Sequence, residues 1–217
     1  MSSIAKWVNY DTPFVRQRYN RLAKFFVFFE WLFLLPRGIR SKAVNRLELK
    51  RGSRVLEVGC GTGRNLAPLL EAVGAEGQVY GVDLSEGMLA EAKDLCTKRG
   101  WHNVELMRAD AADYVLREPV DGAIFSLSYA VIPHHRDALR RTWDQLRQGG
   151  YLVIMDAKLP SGILGMLLYP FVVWASRLTV LCNPDVRPWD ELRALTDDVE
   201  YEEARFGTYY ICRARKR

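Results

Sequence analysis

The sequence has no CxxC pair. Its four cysteines, Cys60, Cys96, Cys182 and Cys212, stand alone, and its three histidines are scattered. No zinc-ligand spacing results, so no metal is expected. Unpaired thiols suit a reducing compartment, which points to the cytoplasm. The first residues, MSSIAKWVNYD, lack a charged stretch followed by an apolar one, and no secretory signal is expected. Repeats and low-complexity linkers are missing too. So is a clean membrane-crossing run, which needs about 20 apolar residues. Residues 25–35 (FFVFFEWLFLL) number eleven and include Glu30. Residues 163–182 (ILGMLLYPFVVWASRLTVLC) are long enough but hold Pro170 and Arg177. They also lie between strands of what reads as one sheet, so a single crossing would strand the last part of the sheet across the bilayer. Both segments are read as helices that lie on a surface or roof a site.

What is present is one domain's worth of chain. The 217 residues are 49% apolar and 26% charged, the composition of a globular protein with a core. The net charge of +5 is unevenly spread. Residues 1–50 hold ten Lys and Arg against three Asp and Glu, with ten of the 25 aromatics. The tail, residues 213–217 (RARKR), adds four cations, so residues 51–212 carry a net −6. A basic, aromatic arm or lid (1–50), expected to be helical, thus precedes a body (51–217) with an apolar helical insertion at 160–182.

The body alternates short apolar runs with amphipathic stretches. Strands are predicted at 54–58 (RVLEV), 78–83 (QVYGVD), 104–108, 123–127 and 151–156, with helices at 65–72, 85–99 and 136–147 between them. Ser85 suits a helix N-cap and Gly100 a helix stop. Gly149-Gly150 is read as the end of the third helix. Residues 199–206 and 208–213 are predicted as two final strands meeting at Gly207. Strands alternating with helices of this length form βαβ units, and hence a parallel sheet covered on both faces.

The chemistry concentrates in VLEVGCGTG, residues 55–63. Gly59, Gly61 and Gly63 follow a strand and open a helix, where the backbone must turn sharply and approach a ligand. Asp83 ends the next strand, placed to accept hydrogen bonds from ribose hydroxyls. A dinucleotide fold wants the same acid, but the turn here is E-x-G-x-G-x-G and lacks the G-x-G-x-x-G spacing that seats a pyrophosphate. A third acid, Asp110, follows the third strand, suited to an adenine amino group. With DLSEGML (83–89) and LRQGGYLVIMD (146–156), this set resembles class I S-adenosylmethionine-dependent methyltransferases.

That resemblance implies an α/β, Rossmann-like, doubly wound fold: a seven-stranded, mostly parallel sheet with a C-terminal antiparallel strand. It implies S-adenosyl-L-methionine as cofactor and S-adenosyl-L-homocysteine as product. By position, Glu57 and the turn of Gly59, Gly61 and Gly63 would hold the methionine part, and Asp83 the ribose. Leu84 and Met88 would sandwich the adenine, and Asp110 with the Ala111 amide would read its edge. Ser126 would face the amino-acid end or the methyl.

Groups that could serve the acceptor lie in two places. One is the loop at 126–135 (SLSYAVIPHH), with Tyr129, His134 and His135, since loops beyond the carboxyl edge of such a sheet line its crevice. The other is the arm. Tyr19-Asn20-Arg21-Leu22-Ala23 resembles the Y-D-x-L-A opening of quinone and phospholipid methyltransferases, with Asn20 in place of the acid. Tyr19, Tyr129 and His134 are the catalytic candidates. PRGIRSKAV, GCGTGRNL and FGTYYICR resemble small bacterial phospholipid and betaine-lipid N-methyltransferases. The resemblance implies a lipid or other hydrophobic substrate. The alternatives are a quinone-like acceptor or a non-catalytic cofactor-binding module.

Arg16, Arg18, Arg21 and Lys24 precede the 25–35 run, and Arg37, Arg40 and Lys42 follow it. This suits a helix in an anionic membrane interface, with the enzyme peripheral at the inner face of the membrane. Nucleic acid is not expected as a partner, because the cations are interleaved with apolar runs rather than with groove-tracking polar residues. If residues 25–35 drive this contact, Phe28→Glu with Trp31→Glu should abolish sedimentation with anionic vesicles while the protein stays folded. Unaltered sedimentation would exclude it.

Overall fold

The sheet follows directly from the apolar runs. In the computed structural model, which describes residues 11–23, 35–160, 162–178 and 183–217, three strands stand where the pattern puts them: β1 (Arg54–Val58), β2 (Gln78–Asp83) and β3 (Val104–Arg108). Then come β4 (Val120–Ser126), β5 (Leu146–Ala157), β6 (Val199–Ala204) and β7 (Tyr209–Arg215). The order across the sheet is β3-β2-β1-β4-β5-β7-β6. The first five are mutually parallel, and β7 runs antiparallel between β5 and β6. This is the Rossmann-like arrangement expected. Residues 25–34 of the first apolar run and 179–182 of the second lie outside the described residues.

The central strands are apolar toward both faces because helices cover both. Leu56, Val58, Phe125, Leu152 and Ile154 pack one way, with Ala138 and Leu139 of α5 (His135–Gln145) and Leu192 of α7 (Pro188–Arg193). Val55, Ile124 and Val153 pack the other way, with Ala43 and Val44 of α2 (Ile39–Asn45) and Leu66 and Leu69 of α3 (Leu66–Val73). Between β2 and β3 runs α4 (Glu86–Arg99). Ser85 caps it, its Oγ accepting from the Met88 amide at 3.2 Å, and Gly100 ends it in the left-handed region at φ 65°. Such a cap stabilises a helix by about 1 kcal/mol. The remaining described helices are α1 (Thr12–Leu22), which holds an N-cap from Asp11, and α6 (Ile163–Leu178).

Some boundaries depart from the sequence pattern: β4 starts at Val120 rather than 123, and β6 ends at Ala204 rather than 206; the largest departure is at β5. The helix expected at 136–147 ends at Gln145, and Leu146 already belongs to β5. Val120 faces Leu146 whereas Gly122 faces Tyr151, so β5 bulges through residues 147–150. Gly149 turns there at φ 80°, and a Cβ on Gly150 would stand 2.7 Å from the Asp121 carbonyl oxygen. Asp121 draws the chain in, accepting from Arg147 at 2.8 Å and from the Arg54 amide at 2.7 Å. The glycine pair is a bulge within a strand, not a helix stop.

At the carboxyl end of β5, buried Asp156 accepts from the amides of Ala130 (3.0 Å) and Ala157 (2.8 Å) and so anchors the 3-10 turn Tyr129–Val131. Burial pushes its carboxyl up to about 6, against the pull of these amides. The folded value lies above the unfolded one, so this contribution is fully present below about pH 4 and is lost as pH rises through about 6. From pH 7 to pH 5 the protein should gain about 1 kcal/mol of stability relative to Asp156→Asn. Paired thermal melts check this; a pH-independent difference would refute it.

Candidate active site

The carboxyl ends of β1 to β4 open into a cleft of about 870 Å³, counted out to its mouth. Its floor is the glycine-rich turn. Gly59, Gly61 and Gly63 all have positive φ, at 72°, 55° and 80°. The amides of Gly59 and Cys60 both donate to the Val82 carbonyl, at 2.7 and 3.1 Å, which ties the turn to the end of β2. A Cβ on Gly59 would lie 2.5 Å from the Ser128 Cβ. No atom stands within 4 Å of a Cβ built on Gly61, so here the backbone faces open cleft. Gly63 does not line the cleft; it packs behind the turn against Leu66 and Ala92.

Three acids reach this space. Asp83 accepts from the Gly61 amide through Oδ2 and from the Ser85 amide through Oδ1, both at 2.8 Å. Each oxygen keeps acceptor capacity for a ligand hydroxyl. Burial raises the Asp83 carboxyl above its usual range, and the amides oppose that rise. Glu57 is buried and accepts from Asn65 Nδ2 at 2.6 Å. Asp110 accepts from the Ala112 amide at 2.9 Å and from Thr12 Oγ1 at 3.3 Å. Leu84, Met88 and Ala111 complete the wall beside Asp83 and Asp110. Thr62, also in the lining, buries a hydroxyl that has no hydrogen-bond partner among the described residues.

Ser126 is in the lining with a partner that the sequence pattern assigned elsewhere. Arg40 Nη1 donates to Ser126 Oγ at 3.1 Å and to Asn65 Oδ1 at 3.0 Å. Glu57, Asn65, Arg40 and Ser126 therefore form one continuous chain of contacts across the cleft. Arg40 reads in the sequence as one more cation flanking an apolar run, and nothing local marks it as a cleft residue.

The arm closes the other side. Val15, Arg16 and Tyr19 of α1 line the cleft, and Val15 packs on Val131. Asn20, at the position where related openings carry an acid, clasps the start of α4 instead. Its Oδ1 accepts from Ser85 Oγ at 2.7 Å and from the Gly87 amide at 3.1 Å.

Of the three catalytic candidates, only Tyr19 lines the cleft. Tyr129 is fully buried against Phe125, with ring centroids 5.1 Å apart, and its hydroxyl donates to Glu191 on α7. Burial, then the Glu191 charge, raises its phenol well above the ordinary range. His134 precedes α5 and is outside the lining, and His135 Nε2 meets Glu191 at 3.2 Å. The cause is the turn after β4. Leu127 takes φ 55°, Asp156 holds the Ala130 amide, and Tyr129 rolls into the core. Ser128, Val131, Ile132 and Pro133 are left facing the cleft.

Residues 55–150 match the family model described as "Methyltransferase domain". An aklanonic acid methyltransferase of Streptomyces sp. is 36% identical over 132 residues, covering 60% of this chain and 59% of that protein. A demethylmenaquinone methyltransferase of Geobacillus stearothermophilus is 30% identical over 123 residues, covering 56% of this chain and 53% of that protein. The chain thus spans only about half to three-fifths of the length of these curated relatives. Among solved structures, phosphoethanolamine N-methyltransferase 2 of Haemonchus contortus, in complex with phosphomonomethylethanolamine and S-adenosylhomocysteine, superposes with a TM-score of 0.76. It is 19% identical and covers 95% of this chain and 60% of that one. A SAM-dependent methyltransferase from Aquifex aeolicus superposes with a TM-score of 0.59 at 21% identity, covering 94% of this chain and 98% of that one. At these identities the structures show a shared fold.

The residues present fit S-adenosyl-L-methionine. Asp83 retains acceptor capacity for a diol, Gly61 leaves its backbone open, and the buried Thr62 hydroxyl lies at the cleft. Asp83→Ala should weaken the cofactor about ten- to a hundredfold by calorimetry, the loss of charged acceptor bonds. Unchanged affinity would remove Asp83 from the site. Residues 55–150 thus match a methyltransferase domain, and most of the residues that line the cleft belong to this stretch.

Proposed function

We propose that the protein is an S-adenosylmethionine-dependent methyltransferase that N-methylates the amine headgroup of a membrane lipid, an ethanolamine phospholipid or a betaine-lipid precursor. The observation that carries this reading is the mixed character of the cleft beside the arm. Val15, Leu127, Val131 and Ile132 make an apolar wall, and Arg16 and Arg40 bring two guanidinium groups to the same space. An amphiphilic acceptor with an anionic phosphate satisfies both.

The cofactor supplies an electrophilic methyl carbon on a sulfonium that is already a good leaving group. The chain's own tasks are alignment and the exclusion of water. Glu57, Asp83 and Asp110, with the turn at 59–63, would hold the cofactor. The α1 lid, clasped by Asn20 and Thr12, keeps the site dry. Tyr19 lines the cleft from that lid. When bound there, the cofactor would supply its methyl group to the acceptor nitrogen and keep the C–S electron pair on sulfur. The acceptor amine must be unprotonated at that moment, its proton having passed to solvent or a neighbouring group.

A second reading has its own support. The relatives at 30% and 36% identity are named for demethylmenaquinone and aklanonic acid. An apolar quinone-like acceptor methylated at carbon or oxygen would use the same apolar wall. Labelled-methyl transfer into a total bacterial lipid extract, followed by chromatography, separates the readings. Label in a zwitterionic lipid is the expected outcome. Label in the quinone fraction would establish the second reading, and no label with cofactor bound would indicate a non-catalytic module.

A further inference from the structure

We propose that α6 is a lipid-docking helix that lays its apolar face on an anionic bilayer beside the cleft mouth. The inference deepens the lipid-acceptor reading and rests on it for its purpose. Among the described residues, nine large apolar side chains are exposed, and six of them lie on this one helix. Ile163, Met166, Leu167, Phe171 and Trp174 are each 56–73% exposed. Their spacing is i, i+3, i+4, i+8 and i+11, one face of a helix. A single contiguous face of this kind marks an interaction surface, whereas isolated exposed apolar residues do not.

The helix is held at a definite place. It leaves the carboxyl end of β5, and a Cβ on Gly165 would clash with the Pro160 carbonyl at 1.8 Å, so its first turn is pressed onto the chain before it. After it, the Asn183 amide donates to the Ala130 carbonyl at 2.9 Å, in the turn whose Val131 lines the cleft. The start of α6, and the chain that resumes at Asn183, therefore lie at the cleft edge of the sheet. The β6–β7 hairpin tip reaches the same edge, since the Lys158 amide donates to Thr208 O at 2.9 Å. On that tip Phe206 is 98% exposed and sits at φ 56°, a backbone region unfavourable to aromatic side chains.

Length and charge select the occupant. Sixteen residues reach about 24 Å, short of a bilayer's hydrocarbon core. No helix among the described residues is long and apolar enough to cross a membrane. Residues 163–178 contain no acid and one cation, Arg177. Beside the cleft-lining Arg16, α1 holds Arg18 and Arg21 and no acid. An anionic headgroup layer complements those cations, and an acyl boundary takes the Phe, Trp, Met and Leu side chains.

The test is sedimentation of the full chain with vesicles of equal parts phosphatidylglycerol and phosphatidylethanolamine, comparing the wild type with Met166→Glu plus Phe171→Glu. The expected result is a loss of vesicle partition of about tenfold or more, with unchanged calorimetric affinity for S-adenosyl-L-methionine. Partition within about twofold of wild type, with cofactor affinity intact, overturns the proposal. So does a wild type that ignores the vesicles, or a wild-type dimer that the substitutions convert to a monomer in ultracentrifugation. Should the double variant lose cofactor binding, Leu167→Ser on the same face of α6 replaces it. A clear loss of partition supports the proposal and no loss overturns it. Methyl transfer to lipid dispersed in detergent reads the acceptor separately. Label there without vesicle binding removes the docking helix and keeps the lipid acceptor; vesicle binding without label does the reverse.

Discussion

At position 59 two segments of chain nearly meet. The turn after β1 passes so close to the loop after β4 that a Cβ there would overlap the Ser128 side chain. The left-handed backbone and the missing side chain allow this approach together. Ser128 then donates to the Val58 carbonyl at 2.7 Å and pins the two loops to one another. From the other side Val82 O takes two amides of the turn, and Asp83 takes a third. The cleft's floor is thus set by one close contact and bonds to two strands. The open face at Gly61 exists because its neighbours are held so tightly.

The arm is part of the same arrangement. Three polar contacts and one apolar contact seat α1: Thr12 on Asp110, Asn20 on Ser85 and on the Gly87 amide, and Val15 on Val131. Each partner belongs to, or adjoins, an element that also lines the cleft. Seating α1 and shaping the cleft therefore draw on the same residues. Asn20 holds the start of α4 without adding charge. A neutral amide oxygen can accept from a hydroxyl and an amide at the N-terminus of α4 without placing another negative charge beside Asp83 and Asp110.

Charge is arranged in two layers. Within the cleft, acids on the strand ends face the cofactor's space, while Arg40 and Arg16 balance them from the helices that cover it. Outside, cations and apolar side chains share the edge where α1, α6 and the β6–β7 tip emerge.

Sequence alone determined the strands that carry the site, since β1, β2 and β3 have short apolar runs bounded by turn residues. It determined the caps of α4, because Ser85 and Gly100 act through bonds a few residues away. It also marked the glycine turn and Asp83, Leu84, Met88 and Asp110 as neighbours, because successive strand ends of a parallel sheet meet at one edge. Tertiary structure decided the rest. Arg40 stands 86 residues from Ser126, and only the packing of α2 on the sheet brings them together. Tyr129 shares a loop with cleft residues, yet a buried carboxylate on a neighbouring strand rolls it into the core. Local signals fix elements because their bonds are local. Which side chain faces a cleft depends on long-range contacts that no stretch of sequence contains.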